Sequence, residues 1–285
     1  MKISRIFLVF VTLVTVFISC QKEIDWGQGG GSSTGDRLVR IKSQTGTTDT
    51  TQIDYSYDAS GRLTRELTKG IGGGMSLDND LIINRNSAGI ITSLVQKNPN
   101  FIILGIDSVI TRVYYNTTSS RYTAAAFDLG IPGFTVTDSA VYNYDANNRI
   151  IDETHYMSTP GLPLPPFVGL KNIYVYNPAG NNMVSIAQEA STTPGGPLSP
   201  VSLQVFTYDT RTNPLITLNE AIVTARTGNY NANNVTKVVF TNSVDPSLDF
   251  TLDGTFVYNS NNKPDSASTT RSPGGEVTKT RYFYQ

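Results

Sequence analysis

The sequence predicts an all-β protein: an antiparallel meander of successive β-hairpins forming one large curved sheet, either a spiral or an incomplete barrel, with a β-sandwich as the alternative. Three observations predict it. A short word recurs as "YSYDASGR", "YNYDANNR", "YVYNPAGN", "FTYDTRTN" and "FVYNSNNK", in which an aromatic residue stands two before a tyrosine, followed by Asp or Asn and turn-forming residues. After several copies the chain alternates again, as in Leu63, Arg65, Leu67 or Ile150, Asp152, Thr154, Tyr156. No run carries a convincing helical period, apart from a short turn at residues 218–225, "LNEAIVTA".

The chain opens with "MKISRIFLVFVTLVTVFISCQKE". Lys2 and Arg5 precede an uncharged apolar run over residues 6–18, shorter than the 20 or so apolar residues a spanning helix needs. Residues 1–19 therefore have the layout of a secretory signal peptide, with an uncleaved anchor as the lesser alternative. The run ends in Phe17-Ile18-Ser19-Cys20, which resembles a bacterial lipobox. Cys20 is the sole cysteine, so no intramolecular disulfide can form, and lipidation of Cys20 is its expected use. Residues 20–36 follow as a Gly/Ser-rich tether, with an r.m.s. reach of about 20–24 Å. Its Lys22, Glu23 and Asp25 resemble the export signal that sends Bacteroidota lipoproteins to the outer leaflet. Residues 37–285 form a single β-hairpin repeat domain.

Removing residues 1–19 takes away Lys2 and Arg5 and no acidic residue, which moves the formal net charge from −1 to −3. No long basic run appears, so no nucleic-acid partner is expected.

The repeated word has a physical reading. Side chains two apart on a strand share a face, so each copy lays a pair of rings along one side of a sheet. Asp58, Asn116, Asp145, Asn177, Asp209 and Asn259 come next; Asp and Asn side chains bond to backbone amides about two residues on and start turns. The motif tyrosine falls at 57, 115, 144, 176, 208, 258 and 284, with Ile83 in its place once, beside Asn84 and Gly89. The steps from 115 to 208 are 29, 32 and 32 residues, about one long hairpin each.

Turns of a meander alternate between the two ends of the sheet. The motif turns are short and polar, whereas the other connections carry Gly, Pro and bulky apolar residues: "NPNFIILGI", "DLGIPGFTV", "STPGLPLPPFVGL" and "STTPGGPLSPV". Phe101, Ile131, Phe134, Leu162, Leu164 and Phe167 form a candidate binding rim there, because exposed apolar clusters mark contact surfaces. The competing reading folds these loops inward as a plug.

Chemistry-bearing residues are sparse. His155 is the sole histidine. It shares a strand face with Glu153, and the expectation is a surface strand residue rather than a catalytic base. Asp78 and Asp80 lack the ligand spacing of a calcium loop, and Gly72-Gly73-Gly74 does not join a strand to a helix as a phosphate cradle does. No metal, cofactor or catalytic residue is expected. Thr50, Ser108, Ser139 and Ser266 each follow an aspartate and precede a small or apolar residue; they resemble the O-glycosylation sequence of Bacteroidota secreted proteins.

The stretch "YSYDASGRLTRE", with Tyr57, Asp58, Gly61, Arg62 and Leu63, resembles the YD repeat of Rhs and teneurin shells, and later copies are degenerate. The combination of signal, tether and degenerate YD-like hairpins resembles Bacteroidota lipoproteins of unknown function. "TNPLITL" and "NYNANNVTKVVF" fit that resemblance, which implies no catalytic residue. The expectation is an outer-membrane lipoprotein on the periplasmic or cell-surface face. It would touch the membrane through its lipid and serve as a non-catalytic binding or scaffold module for a glycan or envelope protein. The alternative is a polysaccharide-active enzyme using carboxylates. The lipobox and the polar residues opposite the rings argue against a transmembrane barrel.

Overall fold

The computed structural model describes residues 21–22, 37–72, 75–102, 105–131, 134–159, 166–191, 193–214, 219–224 and 231–285. In chain order its strands are β1 (Gln21–Lys22), β2 (Leu38–Thr45), β3 (Thr48–Tyr57), β4 (Leu63–Gly72), β5 (Met75–Ser76) and β6 (Asn79–Arg85). Then come β7 (Ile91–Lys97), β8 (Val109–Asn116), β9 (Arg121–Ile131), β10 (Phe134–Tyr144), β11 (Ile150–Ser158) and β12 (Phe167–Tyr176). The last are β13 (Met183–Ala190), β14 (Ser199–Thr212), β15 (Asn233–Asn242), β16 (Phe250–Tyr258), β17 (Pro264–Ser272) and β18 (Glu276–Tyr284). One-turn helices occupy Pro99–Ile102 and Asn219–Val223, the second inside the stretch expected to turn.

Sixteen of these strands, all but the two-residue β1 and β5, pair antiparallel with their neighbours in a closed ring. The meander is as expected. The sheet is not an incomplete barrel, an open spiral or a sandwich, because the first and last long strands meet. β18 pairs with β2 from Thr278↔Thr45 to Tyr284↔Leu38, and Arg37 and Gln285 exchange backbone hydrogen bonds of 3.1 and 2.8 Å beyond that pair. Strand twist accumulates around a long meander, and closure removes both unpaired edges.

Residues paired across strands share a face, so the register separates inside from outside. The inward face carries the rings. Leu38, Tyr55, Leu81, Ile91, Val113, Tyr142, Ile150, Tyr174, Met183 and Tyr284 belong to one buried cluster drawn from strands all round the ring. The outward face carries charges in mid-strand, including Lys42, Arg112, Lys171, Lys237, Asp253 and Lys279. Ion pairs bridge this face at Arg40–Asp54 (2.5 Å), Arg65–Asp80 (2.7 Å) and Arg112–Asp128 (2.8 Å). Exposed Ile110, Val175, Leu203 and Val205 are interspersed among them. A lysine or arginine facing lipid at the bilayer midplane costs about 2–4 kcal/mol. The outward face therefore mixes charged and apolar side chains in mid-strand.

The motif hairpins at Asp58, Asp145, Asn177 and Asn259 close in a similar way. The Asp58 N–H donates to Arg62 O (2.9 Å), and the Asp58 carboxylate accepts from the N–H of Ser60 and Arg62 and from Arg62 Nε. Asp145 repeats the pattern with Asn147 and Arg149, and Asn177 and Asn259 repeat its backbone half. The tyrosine hydroxyls then join one hairpin to the previous one. Tyr57 donates to Leu38 O (2.6 Å), Tyr144 to Tyr122 O (2.6 Å), Tyr176 to Ile150 O (2.8 Å), Tyr208 to Met183 O and Tyr284 to Pro264 O (2.8 Å). Each acceptor lies at the start of the preceding strand.

Turn cations run the same way round the rim. Arg121 lies over the Tyr144 ring at 5.0 Å, Arg149 over Tyr176 at 4.8 Å and Lys263 over Tyr284 at 5.6 Å, each in the next hairpin. This explains the turn glycines twice over. Gly89 and Gly180 have φ of 84° and 73°, a region that favours glycine. A Cβ on them would also sit 1.3 Å from Arg62 Nη1 and 2.2 Å from Arg149 Nη1.

The repeat expected at Ile83 and Asn84 lies two residues later. The second turn starts at Asn86, whose N–H donates to Ile90 O (3.0 Å), so Arg85 and not Ile83 takes the tyrosine position. Its guanidinium makes the tyrosine's bond, reaching Leu63 O at 3.3–3.4 Å. Ile83 is buried in the core.

The connection from β14 to β15 is the exception in length. Asn213 N–H donates to Ala232 O (2.8 Å), closing the neck of an insertion that carries the helix Asn219–Val223. Ile222 and Val223 are buried in the main core cluster. Glu220 accepts from both terminal nitrogens of Arg85 (2.8 and 2.9 Å) and from the Tyr122 hydroxyl (3.2 Å), while Asn231 Oδ1 accepts from Met183 N–H (2.7 Å). The helix Asn219–Val223 thus covers the core at the motif-turn end of the barrel.

Candidate binding wall in the barrel interior

The register lines up polar side chains on the inner face. Tyr142 pairs with Glu153, Glu153 with Asn172, Asn172 with Gln188, Gln188 with Ser202 and Ser202 with Asn242. The result is one unbroken polar row across β11 to β15. Two residues along the strands runs a second row, Tyr174, Ile186, Gln204, Phe240 and Phe250, with the Phe240 and Phe250 rings stacked at 4.9 Å. Phe206, Phe250 and Phe256 also face inward yet stay half-buried rather than buried, so water reaches this part of the lumen.

The polar row is wired to His155. Gln188 Nε2 donates to Asn172 Oδ1 (3.1 Å), and Asn172 Nδ2 donates to Glu153 Oε1 (2.6 Å). His155 places Nε2 at 3.2 Å from Glu153 Oε1 and Nδ1 at 2.8 Å from Asp138 Oδ2. Two ring nitrogens facing two carboxylates require two N–H donors, which only the imidazolium supplies. Burial opposes that charge, but the hydrogen bonds to Asp138 and Glu153 outweigh it and push the imidazole up to about 10. Burial, with Glu153 nearby, holds the Tyr142 phenol well above its ordinary range. Asp138 is buried, and its Oδ1 is one of two buried side-chain polar atoms without a hydrogen-bond partner among the described residues.

His155 is therefore not the surface strand residue its sequence position implied. Its face is shared with Glu153 as expected, but that face points into the barrel. Alternation distinguishes two faces without saying which is inside. A usable signal was present: Asn172 stands two before Tyr174 and Asp138 four before Tyr142, which puts both on the ring face.

The other candidate residues are spread apart. Ile131 and Phe134 pair at the ends of β9 and β10, Phe101 lies in the helix Pro99–Ile102, and Phe167 opens β12 opposite Met157. All four sit at the end away from the motif turns; Leu162, Leu164 and Cys20 lie outside the described residues. Thr50, Ser139 and Ser266 face outward on β3, β10 and β17 opposite Gln44, Tyr156 and Arg281, and Ser108 precedes β8; all four are half-buried. Asp78 accepts from Gly70 N–H (3.1 Å) and Asp80 is held by Arg65. Among the described residues no group of three or more His, Cys, Asp or Glu side chains could hold a metal ion.

Fold and wall together define a closed sixteen-strand meander barrel, its core covered by a helix at one end, with a polar row exposed to its interior. No protein-family model matches the chain, and no curated protein sequence matches it. Among solved structures it is similar to a porin-like protein from Bacteroides uniformis, with 13% identity and a TM-score of 0.54 over 87% of this chain and 98% of that one. It is also similar to a porin-like protein from Bacteroides vulgatus, with 8% identity and a TM-score of 0.52 over the same shares. At such identities the likeness is one of fold.

Proposed function

We propose that the protein is a lipid-anchored barrel of the outer membrane that binds a small hydroxylated ligand in its lumen without transforming it. The observation that supports this most is the row Glu153, Asn172, Gln188, Ser202 and Asn242 lying beside half-buried rings. Amides and hydroxyls both donate and accept, which suits ligand hydroxyl groups, and ring faces suit apolar C–H faces. The likeness to porin-like barrels supports an outer-membrane association. The charged outward face supports attachment through Cys20 rather than through spanning strands. The helix Asn219–Val223, packed on the core at the motif-turn end, supports binding over passage.

The test is a thermal-shift screen of the full-length protein in detergent against mono- and oligosaccharides and short peptides. A hit should be lost in Gln188→Leu and kept in Gln52→Leu, which alters only the outward face. A screen without hits, or hits insensitive to Gln188, would leave the scaffold reading. That reading has its own support in the tyrosine and arginine links that join successive hairpins round the rim.

A further inference from the structure

We propose that Asp138 Oδ1 is the seat of a protonated amine, so that the lumen takes a small hydroxylated amine of the amino-sugar kind. The inference rests on the lumen-binding reading and names the ligand's charge.

The argument begins with an acceptor that has nothing to accept. Asp138 Oδ2 is used by His155 Nδ1 at 2.8 Å, whereas Oδ1 is buried and unbonded. The Asp138 side chain is only 9% exposed, so water does little to solvate it. The imidazolium does not balance the site. One positive charge stands between two carboxylates, Asp138 and Glu153, and leaves a net charge of −1. Glu153 is served twice, by His155 and Asn172, while Asp138 is served once. The inward neighbours from every adjoining strand are uncharged: Phe127 on β9, Ala140 on β10, Met157 on β11 and Leu170 on β12. Lys171 and Arg112 lie on the outward face with Asp152 and Asp128. A carboxylate oxygen in such a place calls for a donor that carries positive charge.

A metal ion is the weaker fit. The imidazolium has no lone pair to give, which leaves two carboxylates that already bind His155. An ammonium group instead offers three N–H donors and neutralises the excess charge. The amide row beyond Glu153 is then placed for the ligand's hydroxyl groups. Met157, paired with Asp138, lies against Gly169, where a Cβ would meet its sulfur at 2.4 Å. Its flexible thioether is the neighbour that would move to admit the amine.

Calorimetry of the full-length protein in detergent at neutral pH tests this with glucosamine, glucose, N-acetylglucosamine and calcium chloride alone. Glucosamine is expected to bind at least about tenfold more tightly than the two uncharged sugars, roughly the step that 1.4 kcal/mol produces. Asp138→Asn should remove that preference with the circular dichroism unchanged. Should that variant fail to fold, the His155 imidazolium N–H resonances of the unaltered protein decide, since glucosamine should move them and glucose should not. Equal binding of all three sugars would overturn the amine seat and leave lumen binding standing. Silence from these sugars and from the wider screen would overturn both. Calcium displacing glucosamine would assign the charge to a metal instead.

Discussion

At the scale of the residue, the repeated tyrosine is visible in the sequence but its partner is not. Spacing placed Tyr174 and Tyr176 on one face, and that holds; the Tyr176 hydroxyl, however, reaches Ile150 O, 26 positions back, which only the register reveals. Tyr176→Phe should cost about 1 kcal/mol, the usual net worth of one hydrogen bond, and chemical denaturation would measure it. A change much below that would mean the ring alone matters. His155 allows a second prediction. Its folded pKa, about 10, is raised above the ordinary 6.5, so the folded state holds a proton that the unfolded state releases earlier. The stabilising contribution is complete below about pH 6.5 and is lost as pH rises through about 10. The denaturation midpoint of the native chain should therefore fall across that window more steeply than that of His155→Gln. Parallel profiles would show that the imidazolium contributes nothing.

At the scale of the element, hairpins with a clear Asx residue were legible, and two degenerate ones were not. Asn84 and Asn86 both flank a turn in composition, but only Asn86 has Gly89 three positions later in the left-handed region. That spacing moves Arg85 into the tyrosine position. The β14–β15 hairpin was harder. Asp209 still accepts from the Asn234 N–H (3.1 Å), as Asp58 does from Arg62, but across the whole insertion. No local pattern announces a turn whose two halves stand 25 residues apart. The cover this creates over the core depends on Arg85 and Glu220, whose side chains are 6% and 32% exposed. Glu220→Gln should cost roughly 1–3 kcal/mol, because it leaves the Arg85 charge poorly matched in a buried site. Arg65→Gln breaks an outward pair and should cost at most about 1 kcal/mol. Limited proteolysis should open residues 213–232 in the first variant before any other segment. Equal losses in the two variants would mean that this cover does not rest on the pair.

At the scale of the whole molecule, the meander could be read but its closure could not, since closure depends on twist summed over sixteen strands rather than on any one hairpin. Closure also decides what the two faces mean. With the rings inside, Lys42, Lys171, Lys237 and Lys279 point away from the barrel in mid-strand, and a bilayer around them would have to accommodate four ammonium groups at about 2–4 kcal/mol each near its centre. Apolar rows such as Ile82, Val95 and Ile110, or Ile173, Ala187 and Leu203, lie among these charges. Attachment and fold should therefore separate cleanly. In cells carrying Cys20→Ala behind a substituted signal peptide that is cleaved without lipidation, the barrel should appear in the soluble fraction after alkaline carbonate extraction, with the unaltered chain in the membrane pellet. Both samples should keep the same heat-unfolding midpoint in strand-region circular dichroism, because backbone pairing of β18 with β2 closes the ring. A Cys20→Ala protein that stays in the pellet and needs detergent to leave it would mean that strands rather than a lipid hold it, and that the charged outward face tolerates a bilayer after all.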